Sequence, residues 1–146
     1  MMNIAETISL RGSLAINVRR SGELIESWRD DNMIMLDARD ALARLIAGEG
    51  AGKVITRIGV GTNGSGPTPD DTALTGAFIK NIQGFEYPAG GRVQFNWRLE
   101  TAEANGLVIR EFGLITADTT LFARKTRAPI EKADDISLDG AWTIIF

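Results

Sequence analysis

The sequence predicts a mainly β protein, an antiparallel β-sandwich of about seven or eight strands with one α-helix. Three observations carry that expectation. Residues 8–18 follow a period of two and residues 92–99 alternate strictly between apolar and polar side chains, the pattern of a half-buried strand. Turn-forming clusters, Arg20-Ser21-Gly22-Glu23, Pro88-Ala89-Gly90-Gly91 and Glu103-Ala104-Asn105-Gly106, separate the apolar runs. One stretch, residues 34–46, repeats apolar residues at the spacings of three and four that mark an amphipathic helix.

In chain order, Ile8, Leu10, Gly12, Leu14, Ile16 and Val18 share one parity against Ser9, Arg11, Ser13, Ala15 and Asn17, so the first strand buries one face. The turn at Ser21-Gly22 returns residues 24–28 antiparallel, with Trp28 as a core anchor. Asp30-Asp31-Asn32 supplies helix-capping groups. Ile34, Ala38, Ala41, Leu42, Leu45 and Ile46 then form the apolar helix face until Gly48, with Asp40 and Arg44 paired on the polar side. Residues 54–60 read as a strand, followed by a loop rich in glycine and proline, and residues 78–87 as the next strand. Val93, Phe95, Trp97 and Leu99 alternate with Arg92, Gln94, Asn96 and Arg98. Strands over residues 107–115, 121–127 and 136–146 follow, the last interrupted at Asp139-Gly140. Without an internal repeat or linker, residues 1–146 form a single domain, two packed sheets with the helix over an end or edge.

Charge and composition narrow the chemistry. Nineteen acidic residues against sixteen basic ones leave a net charge of -3, so no field draws in a polyanion and nucleic acid is not an expected partner. The basic group Arg124, Lys125 and Arg127 reads as a solvated strand face. The chain has no cysteine and no histidine, which removes disulfides, thiol nucleophiles, histidine bases and the common transition-metal sites. No catalytic, cofactor-binding or metal-binding residue is assigned, and no cofactor is expected. The N-terminus lacks a charged leader with an apolar core, and no apolar run nears the roughly twenty residues of a membrane span. The expectation is a chain without a signal peptide or a membrane partner.

One stretch invites a ligand. IGVGTNG, residues 58–64, has the spacing of a dinucleotide-binding turn after a strand. Such a turn must open a helix whose N-terminus meets the phosphates. Here Pro67 and Pro69 follow and bias their neighbours toward extended backbone, and Pro67 stands where a phosphate-loop lysine would be. The glycines read instead as a structural loop needing positive φ. The acidic pairs Asp70-Asp71 and Asp134-Asp135 lack the spacing of a calcium loop and read as turn caps, with Asp71 starting a short helical segment at residues 72–74. For carbohydrate, the aromatic platforms are Tyr87, Trp97 and Trp142, the two tryptophans sitting on apolar parities that place them in the core.

Two segments, ITRIGVGTNGSGPTPDDTAL at residues 55–74 and VIREFGLITADTTLFAR at residues 108–124, together resemble paired signatures of bacteriophage tail-collar and tail-fibre attachment proteins. In that family a strand ending in I-G-x-G leads into a P-T-P-x-x-T-A-L loop, and a later R-E-[IF]-G-L strand enters a hairpin. The resemblance spans residues 34–146. It implies a non-enzymatic structural component of a virion in tail, collar, baseplate or fibre attachment, made in the host cytoplasm. Its partners would be other virion subunits and copies of itself in a trimer or hexamer. Association is expected through a sheet edge left by residues 8–18 or 141–146, or through the loop of residues 62–74. The alternative is a carbohydrate-binding, jelly-roll-like module for host-surface recognition; an enzyme using carboxylates alone is the third reading. A small-molecule ligand is not expected.

Overall fold

The alternation in the N-terminal stretch becomes β1 (Arg11–Arg20) in a computed structural model that describes residues 10–146, so Ile8 and Ser9 lie outside the described residues. Leu14, Ile16 and Val18 are buried as their parity requires. Ser21 and Gly22 take φ of 49° and 83°, the two left-handed positions of a tight hairpin turn, and β2 (Glu23–Ile34) returns antiparallel. β2 continues past Trp28, so Asp30, Asp31 and Asn32 are strand residues and not helix caps. The reason is that β1 is long enough to pair with them: Asp30 faces Leu14 and Asn32 faces Gly12. Asn32 lies across Gly12, where a Cβ would fall 2.2 Å from its amide oxygen, and that oxygen accepts the Trp142 Nε1 hydrogen at 2.7 Å.

Helix α1 (Leu36–Ile46) begins at Met35 with no side-chain cap. The Leu36 N–H donates to the Pro69 carbonyl at 2.7 Å, so the loop of residues 62–74 supplies the capping acceptor. Ala38 and Ala41 are the helix's buried residues, and Leu42 packs half-buried against the core. Ile34 belongs to β2, and Ile46 is 88% exposed. The apolar stripe is thus wider than the face that α1 buries.

β3 (Ile55–Gly61), β4 (Phe78–Asn81), β5 (Gly84–Glu86), β6 (Arg92–Leu99), β7 (Val108–Thr116), β8 (Leu121–Glu131) and β9 (Ile136–Ile145) complete the architecture. Among the described residues nine strands, each antiparallel to its neighbours, form one sheet in the order β4-β3-β7-β8-β2-β1-β9-β6-β5. This corrects the expectation of two separate sheets of fewer strands: a single sheet folds over on itself. β2 makes the fold-over, pairing with β1 through Asn32 and with β8 through Met33 and Ile34. The two layers meet where Trp97 on β6 packs on Phe112 on β7, ring centroids 5.8 Å apart. Leu14, Ile16, Leu99, Leu114, Leu138 and Trp142 surround that contact, fully or almost fully buried, each such side chain stabilising the fold by about 1.5–3 kcal/mol.

The sheet also turns back at its other end. Residues 78–87, expected as one strand, divide between the layers: β4 pairs with β3 and β5 with β6. At the corner, the Ile82 N–H donates to Thr56 and the Gln83 N–H to Asn96. β1 and β9, expected to leave free edges, pair with each other in the middle of the sheet, and β4 and β5 are its ends. β9 runs unbroken through Asp139-Gly140. Gly140 faces Trp97, where a Cβ would lie 2.1 Å from the indole, so glycine makes room for the largest core side chain.

Candidate functional site

The glycine motif ends β3, and neither Gly59 nor Gly61 has a positive φ. Their role is close approach. A Cβ on Gly59 would fall 2.7 Å from Leu74 and 2.9 Å from Ile115; one on Gly61 would fall 2.6 Å from the Glu111 carboxylate and 2.8 Å from the Thr75 carbonyl. No helix follows Gly61; the chain loops to Thr75, whose carbonyl accepts the Thr62 N–H. Glu111 on β7, fully buried, accepts the Asn63 and Thr75 N–H groups at 2.8 and 2.9 Å with one oxygen and Arg124 Nε at 2.9 Å with the other. The backbone donor that would face a phosphate is therefore already bound to the protein's own anion.

Arg124, expected on a solvated face, is 2% exposed. From β8 it donates to Glu111, to Asp71 at 2.9 Å, and to the Asn63 and Ser65 carbonyls at 3.0 Å. Gly113 stands opposite it across the β7–β8 ladder, where a Cβ would fall 2.8 Å from Leu121 and 3.1 Å from Leu74. Asp71 starts no helical segment. It accepts the Thr68 N–H at 2.9 Å, and that hydrogen bond above all, with the Thr68 hydroxyl and Arg124, holds its carboxyl below the usual range. The readable signal was Glu111: β7 is apolar on both parities, hence covered on both faces, and a lone acid in such a strand needs a buried cation.

A second feature lies at the end covered by α1. There Leu42 and Leu45, Val54, Phe85, Tyr87 and Phe146 border a cleft of about 250 Å³, with the buried Phe95, Phe122 and Ile144 beneath. Phe85 and Tyr87 meet edge to face at 5.9 Å and are 60% and 73% exposed. Val54 and Phe146 are exposed at its rim, and exposed Leu36 and Ile46 border a neighbouring groove that shares Leu42 and Phe146 with it. Lys53 is the one charged side chain in the lining, and its ammonium is tied to Asp118 at 2.8 Å and the Thr120 hydroxyl at 3.1 Å. Lys53, then Thr116 and Thr120, lower the Asp118 carboxyl far below its ordinary value.

The other candidates disperse. Asp70 accepts the Thr68 hydroxyl, Asp135 pairs with Arg20, and among the described residues no group of three His, Cys, Asp or Glu is placed to hold a metal. Trp97 and Trp142 are buried, leaving Tyr87 as the exposed aromatic of the three. Trp28 packs half-buried against the core, with Lys125 and Arg127 5.8 and 5.1 Å from its ring. Among the described residues no helix is long and apolar enough to cross a membrane. No protein-family model, curated protein or solved structure matches the chain.

Proposed function

We propose that the chain is a non-enzymatic structural component of a bacteriophage virion, in a tail, collar, baseplate or fibre-attachment position, and acts through protein–protein assembly. The observation that carries assembly is the gathering of exposed Val54, Phe85, Tyr87 and Phe146 about one cleft, with exposed Leu36 and Ile46 on a neighbouring groove that shares Phe146, where apolar surface is unfavourable unless covered. The phage assignment rests on the two resembling segments, which interlock here through Glu111 and Arg124: the I-G-V-G loop is held by the R-E-F-G strand and the hairpin strand beside it. The partners in this reading are other virion subunits and copies of the chain in a trimer or hexamer. Immunogold labelling of particles produced by the genome that encodes the chain tests it. Label at the tail or its attachment collar is expected, and particles without label overturn the reading.

A host-surface carbohydrate module is the second reading, favoured by the exposed Phe85–Tyr87 pair. It requires glycan-array binding that Tyr87→Ala abolishes.

A further inference from the structure

Where the chain passes from β4 to β5 the folded sheet does not close, and one of the resulting gaps lies between β3 and β5. β3 and β4 pair from Val60 with Phe78 to Arg57 with Asn81, and the Ile82 N–H still reaches the Thr56 carbonyl. Continued, that register would set Gly84 against Val54 and Glu86 against Gly52. Instead β5 diverges to β6, while residues 52–55 pair on their other side with the end of β7 and the turn after it: Ile55 faces Thr116, and the Val54 and Gly52 carbonyls accept the Ala117 and Asp118 N–H groups. A wedge opens between residues 53–55, where a 3-10 turn (Ala51–Lys53) leads through Val54 into β3, and the outer edge of β5 at residues 84–87, with no backbone hydrogen bond across it among the described residues. The wedge is the apolar cleft described above.

Size and charge select what fits. Small-molecule sites span about 300–1,000 Å³, and this cleft, at about 250 Å³, holds one or two side chains. A stable dimer buries about 800 Å² from each partner, more than so small a cleft offers to a second globular surface. An extended chain suits it better, since its backbone pairs with a free edge while alternate side chains enter the pocket. The one charged side chain in the lining, Lys53, is paired with Asp118, so an entering carboxylate would lose water without gaining a free cation. We propose that the wedge is a docking site for an extended strand of another protein chain, which adds to the outer edge of β5 and inserts uncharged apolar side chains from alternate positions. The proposal rests on this end being an assembly surface, and not on where in a virion the chain sits.

The test pans a ribosome-displayed library of random linear peptides on the full chain, then follows the strongest binder by amide hydrogen exchange and calorimetry. Enriched peptides should alternate apolar and polar residues and slow exchange at residues 84–87. Leu45→Arg, which puts a charge on the partly exposed rim, and Tyr87→Ser, at an exposed position, should each raise Kd about tenfold or more while the fold is kept. A library yielding no binder, binders without alternation, or protection away from the wedge overturns the proposal. So does a binder indifferent to both variants, or 8-anilinonaphthalene-1-sulfonate held in the cleft against every peptide. Labelling of particles reads the virion assignment separately, so either reading can fall while the other stands.

Discussion

Arg124 and Glu111 form an ion pair from which solvent is almost wholly excluded; one loop satisfies the rest of both, giving backbone N–H groups to Glu111 and two carbonyls and the Asp71 carboxylate to Arg124. Removing one member of such a pair strands the other. Arg124→Met should therefore destabilise the protein by about 3–5 kcal/mol in urea denaturation, and adding Glu111→Gln should restore part of the loss, because the uncompensated charge is then gone. If the single and double variants are equally unstable, packing and not charge governs the site. Gly140 offers a simpler case. Gly140→Ala drives a methyl into the Trp97 indole and should cost about 1–3 kcal/mol, with Trp97→Leu in the same chain relieving the clash. At this scale Glu111 is legible in the sequence as an acid in an apolar strand, but its choice of Arg124 is not, since Lys125 and Arg127 of the same basic group pair instead with Asp30 and Glu26.

Among the elements, the hairpin from Arg11 and the alternating β6 were legible because their period and turn chemistry are local properties. Asp30-Asp31-Asn32 was misread because a capping sequence and a polar strand end look alike, and pairing with β1 decided between them. Asn32→Ala separates the roles. It should cost about 1–3 kcal/mol by leaving Trp142 Nε1 without its acceptor. Hydrogen exchange should then quicken in β1 and β9 and stay unchanged in the first turn of α1; the reverse pattern would restore the capping role. On the exposed face of α1, Arg44→Ala should change stability by no more than about 0.5 kcal/mol in thermal melts, since the Asp40 pair is solvated.

Over the whole molecule, acid should loosen the loop side and the cleft rim together. Asp71 and Asp118 both have folded-state pKa values below the ordinary 3.8, so their ionised forms favour the folded chain. That contribution is complete above about pH 4 and is lost as pH falls through the lowered values. The urea midpoint should thus be level from about pH 7 to 5 and drop below about 4. A midpoint that rises on acidification contradicts the assignment. The same scale carries the assembly question: with β1 and β9 in the middle, the sheet's ends are the short β4 and β5, and exposed apolar residues collect beside β5.

The sequence by itself determined the class of the protein, mainly β with one helix, and the parity that buries Leu14, Ile16, Trp97 and Leu99, because side-chain direction along a strand follows from the backbone's period of two. It also determined that histidine and thiol chemistry are absent. Only the tertiary structure decided that the layers are one sheet, that the glycines of the loop serve close approach, and that Arg124 is buried. Strand pairing is a contest among distant segments: β1 reads the same whether it lies at an edge or in the middle, and β9, more than a hundred residues away, is what places it there.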